Sequence, residues 1–594
     1  MTHRVAVLDK DLCQPKKCGL ECIKYCPVNK SGLECITLNN NIKKAQIDEN
    51  LCNGCGICVK VCPFNAITIV NLASELSHHK IHQYDQNSFR LYKLPVLKKG
   101  AVTGLLGRNG MGKSTVINIL SGKLIPNIGN YNEKEAYWQN IIKYYKGTEL
   151  KSYFEKINEN QIKVSIKPQQ VYNLLETFNG TGKELIEKYD ERGISNNLIN
   201  ELNLKRSIEM NVGELSGGEL QRLVIATSIS KNADLYFFDE PSSYNDIYQR
   251  TKVSRIIRNL AKSGKTVMIV EHDVTLLDYI SDYINVIYGN PGSYGIVSGI
   301  LSTKVGINVF LDGYLHNENV RFRDKKFTFD PILSINEFHS DEILMKYSNL
   351  IKNYKKFTLN IEKGDIRRGE LIGVIGANAL GKTTMLKMIT GNIEPDQGET
   401  TKKISIAYKP QYLSNDTDTE VLTLLEKINN NINDGDEEQQ IIDALTIKKL
   451  YNKQIKNLSG GELQKVAIAA TLLQKVDLFA LDEPSAFLDV EDRIAISKFL
   501  QKFIKDHGKA AVIIDHDLQL IDLISDSIII FDGTPNVSGH AIAPLSKVRA
   551  MNKFLKLLDI SFRRDENSKR PRVNKSNSRL DKQQKENGNL YYMN

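Results

Sequence analysis

Within the 594 residues, one series of short motifs occurs twice in the same order. Gly107-Arg-Asn-Gly-Met-Gly112-Lys113-Ser114 fits the pattern G-x4-G-K-[ST], and Gly376-Ala-Asn-Ala-Leu-Gly381-Lys382-Thr383 fits it again 269 residues later. Glycines in such a loop let backbone N–H groups cradle phosphates, the lysine reaches the outer phosphates, and the hydroxyl serves Mg2+. Each loop follows an apolar strand-like run (Val102–Leu106; Leu371–Ile375) and opens a helical pattern. Leu215-Ser-Gly-Gly-Glu-Leu-Gln221 then returns as Leu458-Ser-Gly-Gly-Glu-Leu-Gln464, Asp239-Glu240-Pro241 as Asp482-Glu483-Pro484, and Glu271-His272-Asp273 as Asp515-His516-Asp517. From signature serine to strand-end aspartate the spacing is 23 residues in both copies, and from that aspartate to the histidine it is 33 and 34. A repeat of this length and order predicts an α/β chain carrying two P-loop nucleotide domains in tandem.

These motifs resemble a pair of ATP-binding-cassette (ABC) nucleotide domains. The resemblance implies a head-to-tail pairing, with each ATP held between one cassette's phosphate loop and the other's signature. One site then draws on Gly107, Asn109, Gly110, Gly112, Lys113, Ser114 and Thr115 with Asp239 and Glu240, completed by Ser459, Gly460, Gly461 and Glu462. The other draws on Gly376, Asn378, Gly381, Lys382, Thr383 and Thr384 with Asp482 and Glu483, completed by Ser216, Gly217, Gly218 and Glu219. Gln169 and Gln411, each in Lys-Pro-Gln, match the Q-loop glutamines and join Ser114, Asp239, Thr383 and Asp482 as implied Mg2+ ligands. Glu240 and Glu483 are the implied catalytic carboxylates, which position or deprotonate the attacking water. His272 and His516 resemble the switch histidines at the γ-phosphate, and Asp246 and Asp489 match the D-loops. Two departures stand out: Ala379 replaces a usual loop glycine, and Asn245 replaces an apolar D-loop residue. Both sites are expected to hydrolyse ATP, unequally.

The cysteines are confined. All nine lie between Cys13 and Cys62, which does not suit disulfides spread through a secreted protein. Cys52, Cys55, Cys58, Cys62 and Pro63 form the C-x2-C-x2-C-x3-C-P run of bacterial-type ferredoxins, and Cys13, Cys18, Cys22, Cys26 and Pro27 form a looser one. Eight thiolates supply two 4Fe–4S clusters, and in two-cluster ferredoxins the fourth cysteine of each run ligates the other cluster. The expected groups are therefore Cys13, Cys18, Cys22 with Cys62, and Cys52, Cys55, Cys58 with Cys26. Two Zn(Cys)4 sites would use the same thiolates, but the spacing and the prolines favour iron–sulfur. Cys35 is left over as a small buried side chain.

The copies differ in one segment. From P-loop lysine to Q-loop glutamine is 56 residues in the first copy and 29 in the second, so the first carries 27 extra residues, placed at about 131–160. Glu135–Lys146 and Glu149–Ile157 predict a helix–loop–helix broken at Gly147. Its Trp138, Lys146 and Lys151 read either as a surface hairpin with inward aromatics or as an aromatic-basic element for RNA. The net charge is +9, from 79 Lys+Arg against 70 Asp+Glu, and residues 561–594 alone hold nine basic against four acidic side chains. That segment is either a solvated tail or an ordered element contacting phosphates.

Over essentially the whole chain, the cysteine module, the twin cassettes, GINVFLDGY and the FRRD…RPRVNK segment are similar to one family, the archaeal/eukaryotic ribosome-recycling ATPases (ABC subfamily E, the RNase L inhibitor family). The resemblance implies an iron–sulfur domain (1–75), a first cassette (76–300), hinge 1 (301–325), a second cassette (326–545) and hinge 2 with a basic C-terminal segment (546–594). It implies two 4Fe–4S clusters, two ATP and two Mg2+. It further implies splitting of ribosomes after termination or rescue, with a peptide release factor or its rescue paralogue bound. The factor then stays on the small subunit toward initiation, where initiation factors are its partners. Tyr84, Phe89, Tyr347 and Phe357 are the positional candidates for adenine stacking. Arg321, Arg323, Arg563, Arg564, Arg570, Arg572 and Lys575 join the insertion residues as candidate rRNA contacts. The expected setting is the cytoplasm, without a membrane, as a monomer whose cassettes pair internally. Two other classes remain open: an iron–sulfur ATPase driving electron transfer, and a soluble ABC ATPase acting on other nucleic acid.

Overall fold

The computed structural model describes residues 2–591 apart from 11, 40–42, 50, 74–79, 132–136, 330–341, 401–403, 412, 414–416, 433 and 576. Each cassette is built on a nine-stranded sheet of the same strand order. In the first, parallel strands run Val164–Lys167, Leu235–Asp239, Thr266–Val270, Val102–Leu106 and Tyr283–Asn290; Tyr294–Val297, Arg90–Tyr92 and Lys80–Gln83 then extend the sheet as a mixed flank, parallel only between the first two, and Leu301–Ser302 pairs off the path with Tyr283–Asn290. The second repeats this with Ile406–Lys409, Leu478–Asp482, Ala510–Ile514, Leu371–Ile375 and Ser527–Thr534, flanked by Ser538–Ala541, Phe357–Ile361 and Leu350–Tyr354. The central strands are unbroken apolar runs because both faces are covered by helices, and every residue of Val102–Leu106 and Leu371–Ile375 is buried.

This order brings the functional loops to one end of each sheet. The phosphate loops leave the carboxyl ends of Val102–Leu106 and Leu371–Ile375 and run into helices Lys113–Leu120 and Lys382–Ile389. Neighbouring strands end in Asp239 and Asp482, and the next in Val270 and Ile514, just before the histidine turns. The signature helices Gly217–Ser230 and Gly460–Leu472 start from Ser216 and Ser459, each closing a capping box with Glu219 and Glu462, which satisfies orphan N–H groups of the first turn.

The cysteine module has its own small core. Thr2–Leu8 pairs antiparallel with Ile67–Ala73 and Ile36–Asn39 with Lys44–Ile47; the short helices Glu21–Lys24 and Ile57–Val61 carry Cys22 and Cys58, and Cys26 stands at the N-cap of Pro27–Lys30. Ala6, Leu8, Ile36, Ile47 and Ile67 pack there with the buried Cys13, Cys26, Cys35 and Cys58.

The insertion forms helices Trp138–Tyr144 and Glu149–Asn158, with Gly147 at φ 85 between them; positions 135 and 136 of the expected first helix lie outside the described residues. Hinge 1 is more regular than its sequence suggests, because Thr303–Asp312 is a helix whose Ile307, Phe310 and Leu311 join the core. After helix Lys547–Leu558, hinge 2 is a hairpin of Phe562–Arg564 with Pro571–Val573, followed by helix Arg579–Glu586. Among the described residues, no helix is long and apolar enough to cross a membrane.

Candidate functional site

Both phosphate loops curl around their own lysine. Lys113 Nζ donates to the carbonyls of Gly107 at 2.9 Å and Arg108 at 3.0 Å, and Lys382 Nζ to those of Gly376 at 2.9 Å and Ala377 at 2.6 Å. Burial lowers each ammonium to about 8, against the pull of Glu240, Asp489 and Asp239 on Lys113 and of Asp246, Glu483 and Asp482 on Lys382. Gly112 (φ +89) must lack a side chain, since a Cβ there would stand 2.4 Å from the Phe89 ring. Ala379 adopts φ 58 where the first copy has Gly110 at φ 75, so the departure keeps the loop shape at about 1 kcal/mol of backbone strain.

The carboxylates sit where the strands end. Thr383 Oγ1 donates to Asp482 Oδ2 at 2.7 Å, joining two expected Mg2+ ligands, while Ser114 is exposed. Glu240 and Glu483 hold left-handed backbone, φ 47 and 48, which a non-glycine residue keeps only when its surroundings enforce it. The enforcing groups went unrecognised in the motifs. Lys167 Nζ donates to the carbonyls of Asp239 (2.7 Å) and Glu240 (3.1 Å), and Gln221 Nε2 donates to Glu240 O at 2.7 Å. Lys409 and Gln464 do the same for Asp482 and Glu483. The signal was a lysine ending a buried strand, just before Pro-Gln.

Side chains converge on each glutamate. Gln169 Nε2 donates to Glu240 Oε1 at 2.7 Å, and His272 Nε2 lies 3.3 Å from the same oxygen. Gln411 and His516 repeat this on Glu483 at 2.7 and 3.4 Å. Burial alone would raise Glu240, but the hydrogen bond and charge of His272 and the charge of Lys113 outweigh it and bring the carboxyl down to about 2. Glu483 moves down likewise: His516, Lys382 and Arg250 outweigh its burial. Each carboxylate is thereby ionised and placed to orient water or to accept its proton. Asp239 goes the other way, to about 6, through burial and the neighbouring Glu240.

The cassettes complete each other. Asn109 N–H donates to Asp489 Oδ2 at 3.3 Å, and Asn378 N–H to Asp246 Oδ2 at 2.8 Å, so each D-loop caps the opposite phosphate loop. Arg250 Nη1 pairs with Asp273 at 3.1 Å and lies 3.5 Å from His516 O of the other cassette, while Arg493 pairs with Asp517 at 3.1 Å. Glu219 and Glu462 are spent on their caps: each accepts from the backbone N–H of its own signature serine, at 3.0 and 2.9 Å.

The aromatic candidates divide. Tyr84 is 50% exposed on the hairpin beside the first loop, its hydroxyl 3.1 Å from Thr115 Oγ1. Phe89 and Phe357 back the loop glycines Gly112 and Gly381. Tyr347, proposed from sequence, is only 3% exposed within the second core and cannot stack on a ligand; Tyr354, 45% exposed, holds the position on its hairpin that Tyr84 holds on the first. The register of that flank is what the sequence left undecided.

The basic candidates need a larger correction. Arg570 is fully buried and donates to Asp278 Oδ2 at 3.0 Å, which Arg572 also engages at 2.7 Å. Arg564 holds Asp522 at 2.7 Å, and Arg323 holds Glu491 at 2.7 Å and the carbonyl of Phe310 at 2.6 Å. These four guanidiniums are committed to the protein and are not free for phosphates. Asp278 and Asp522 lie on the short helices after the switch histidines, so hinge 2 fastens to both. Arg321, Arg563, Lys146 and Lys575 remain at least partly exposed. In the insertion Trp138 and Tyr145 face inward, stacking on Phe154 at 5.6 and 5.5 Å, while Tyr137 is exposed, and Lys151 pairs with Glu155 at 3.2 Å.

The thiols fall into two sets. Burial first, then the thiols of Cys62, Cys13 and Cys18, push Cys22 up to about 12; burial, then Cys52, Cys55 and Cys26, push Cys58 up to about 11. Cys35 also stands beside Cys26 and Cys52 and is pushed up to about 12, chiefly by burial; in each set the four expected thiols, once deprotonated, would suit a polynuclear cation that neutralises them. The module docks on the hairpin bearing Tyr84: Glu49 pairs with buried Arg90, Asn87 N–H donates to Glu49 Oε1 at 3.1 Å, and Lys10 pairs with Asp85 at 3.1 Å.

Comparison with known proteins agrees with this geometry. A family model described as ABC transporter matches residues 96–243 and 359–486, one described as a possible Fer4-like domain in RNase L inhibitor matches 3–34, and a 4Fe-4S binding domain matches 45–68. Translation initiation factor RLI1 of Saccharomyces cerevisiae is 42% identical, over 99% of this chain and 98% of that protein. The chain belongs to the RNase L inhibitor family. An uncharacterized ABC transporter ATP-binding protein of Methanocaldococcus jannaschii is 46% identical, over 99% of this chain and 98% of its own length. Among solved structures, ABCE1 in a model of ribosome-bound archaeal Pelota and ABCE1 superposes with TM-score 0.94 at 46% identity, covering 100% of this chain and 99% of that one. Archaeal ABCE1 in complex with the ribosomal stalk protein aP1 gives 0.82 at 44%, covering 87% of this chain and all of that one. As in the family, two ABC ATPase domains follow a Fer4-like module that carries 4Fe–4S clusters, and the chain hydrolyses ATP bound with Mg2+.

Proposed function

We propose that this chain is an ATP-driven ribosome-recycling factor that splits ribosomes into subunits. The observation that carries the reading is the reciprocal D-loop contact, Asp489 on Asn109 and Asp246 on Asn378. It makes two composite sites whose closing and opening move one cassette against the other. One site combines Lys113, Ser114, Asp239 and Glu240 with Ser459–Gly461, and the other combines Lys382, Thr383, Asp482 and Glu483 with Ser216–Gly218, each with one ATP and one Mg2+.

Little covalent chemistry falls to the protein in phosphoryl transfer, so positioning and charge dominate. The loop lysine leaves its carbonyl cradle for the outer phosphates, and the first-turn hydroxyl with the strand-end aspartate would hold Mg2+, which would neutralise charge on the phosphates. Glu240 or Glu483 orients water through a carboxylate kept ionised by its histidine, and the opposite signature N–H groups take up the developing negative charge. Two 4Fe–4S clusters, on Cys13, Cys18, Cys22 with Cys62 and on Cys26, Cys52, Cys55 with Cys58, would stiffen a module too small to hold its shape by burial alone. Docked on the Tyr84 hairpin, that module follows the first nucleotide site and is the wedge that closure moves.

On this reading the partners are the ribosome and a Pelota-like rescue factor or release factor, which the ribosome-bound relative supports, together with the small subunit and, afterwards, initiation factors. Arg321, Arg563, Lys146 and Lys575 supply exposed charge for ribosomal RNA, and the cassettes pair within a monomer. In the test, purified chain, ATP and release factor are mixed with ribosomes and resolved on a sucrose gradient. Separated subunits are expected; intact particles would sink the proposal. Turnover that required an added reductant would favour electron transfer instead.

A further inference from the structure

The twin D-loops differ at one buried position. Asn245 in Ser-Ser-Tyr-Asn-Asp stands at the position that Leu488 holds in Ser-Ala-Phe-Leu-Asp, and both residues are 1% exposed. A buried amide needs partners, and Asn245 has two. Its Oδ1 accepts from Arg222 Nη1 at 3.1 Å, and its Nδ2 donates to Pro241 O at 3.2 Å. Arg222 belongs to the signature helix, with its Nε on Leu202 O at 3.0 Å.

The second cassette fastens the same cation elsewhere. Lys465 occupies the matching helix position and pairs at 2.7 Å with Asp492, three residues after the D-loop aspartate. The first cassette has Gln249 at that place, with its side-chain oxygen buried and lacking a hydrogen-bond partner among the described residues. The cation of the first signature helix thus grips the residue just before its D-loop aspartate, whereas the second grips the helix beyond it.

The consequence falls on one composite site. Asp246, next to Asn245, accepts from Asn378 N–H at 2.8 Å, whereas Asp489 accepts from Asn109 N–H at 3.3 Å. Each D-loop lies against its own signature, a Cβ on Gly218 coming within 2.8 Å of Tyr244 O and one on Gly461 within 3.0 Å of Phe487 O, but only in the first cassette does a helix cation, Arg222 Nη1 at 3.4 Å, join that contact. Signature, D-loop and Arg222 all belong to the half-site opposite Lys382.

We propose that Arg222 and Asn245 form a clasp that fixes Asp246 and the first signature as one rigid unit, making the Lys382 site the more tightly closed of the two. Both are positioning residues acting through Asp246, and the proposal rests on the composite ATP sites described above. The clasp is opened by Asn245→Leu and rebuilt in the second cassette's form by the triple variant Arg222→Lys, Asn245→Leu, Gln249→Asp.

The first readout is hydrogen exchange with ATP bound. Asn245→Leu should speed exchange at the Asn378 amide fivefold or more and leave the Asn109 amide within twofold; the triple variant should restore protection. Equal change at both amides, or none at Asn378, would overturn the clasp. The second readout is ATP hydrolysis. With Glu240→Gln leaving the Lys382 site live, Asn245→Leu should lower kcat about tenfold with little change in KM. With Glu483→Gln leaving the Lys113 site live, the change should stay below twofold, and equal losses in both backgrounds overturn the proposal. Should the glutamine variants themselves leave turnover intact, the assignment of the sites fails, and exchange at Asn378 still decides the clasp.

Discussion

Replacing Asp278 by Asn removes the one carboxylate shared by Arg570 and Arg572. Arg570 is fully buried and Arg572 nearly so, both within 3.0 Å of Asp278 Oδ2. After the change the two guanidiniums face each other without a counter-charge, apart from Asp565, 3.5 Å from Arg572. Removing one partner of a buried ion pair costs about 3–5 kcal/mol, which at roughly 1.4 kcal/mol per decade is two to three and a half decades in an opening equilibrium. The assay is native-state hydrogen exchange on the hairpin amides of residues 562–573, because opening there is local. Protection should fall by at least a hundredfold, while amides of the central strands stay unchanged. Adding Arg570→Met and Arg572→Met should recover most of the loss, since apolar replacement of a whole buried pair is nearly neutral. The arginines, despite the opposing effect of burial, hold the Asp278 carboxyl below the usual range. Its contribution is therefore complete above the unfolded aspartate value of about 4 and lost only as pH falls through the lower folded value, so protection should be flat between pH 8 and 5. Wild-type-like protection in Asp278→Asn would refute the view that hinge 2 is latched here.

Further predictions concern the sites and the clusters. Tyr354→Ala should weaken ATP binding at the second cassette by about 1–3 kcal/mol, the usual worth of one base–aromatic stack, while Tyr347→Phe leaves it unchanged; fluorescent-nucleotide titration decides. Lys167→Met should lower kcat about tenfold at unchanged KM, because Lys167 fixes the strained Glu240 carbonyl rather than nucleotide; a rise in KM alone would contradict that role. Cys62→Ser should halve bound iron while Cys35→Ser retains all of it, as read by iron analysis of anaerobically purified protein.

Both ATP sites were legible in the sequence because their chemistry is carried by contiguous motifs: a loop that must be glycine-rich to cradle phosphate, and an aspartate–glutamate pair that must end a buried strand. The cysteine module was legible for the same reason, its Cys-x2-Cys-x2-Cys run lying within the segment that a 4Fe-4S binding domain matches. Interactions between distant segments were not. Arg570 and Arg572 read as a basic, phosphate-seeking stretch because their counter-charge, Asp278, lies 292 and 294 residues away. Tyr347 and Tyr354 end consecutive strands, but the first pairs with Gly364–Arg367 in a separate two-stranded sheet and the second joins the edge of the cassette sheet, and only that pairing decides which ring reaches the surface. Asn245 was visible as a departure, but its meaning depended on Arg222 from another helix.

The central claim is that ATP-loaded closure of the two composite sites separates the subunits and that hydrolysis reopens the cassettes for another round. Stopped-flow light scattering of ribosomes mixed with the chain, release factor and ATP measures it directly. A single decay to the scattering of free subunits is predicted for the wild type, and a closed, ATP-loaded state without sustained turnover for Glu240→Gln with Glu483→Gln. Repeated rounds of splitting by that double variant at the wild-type rate would contradict the account.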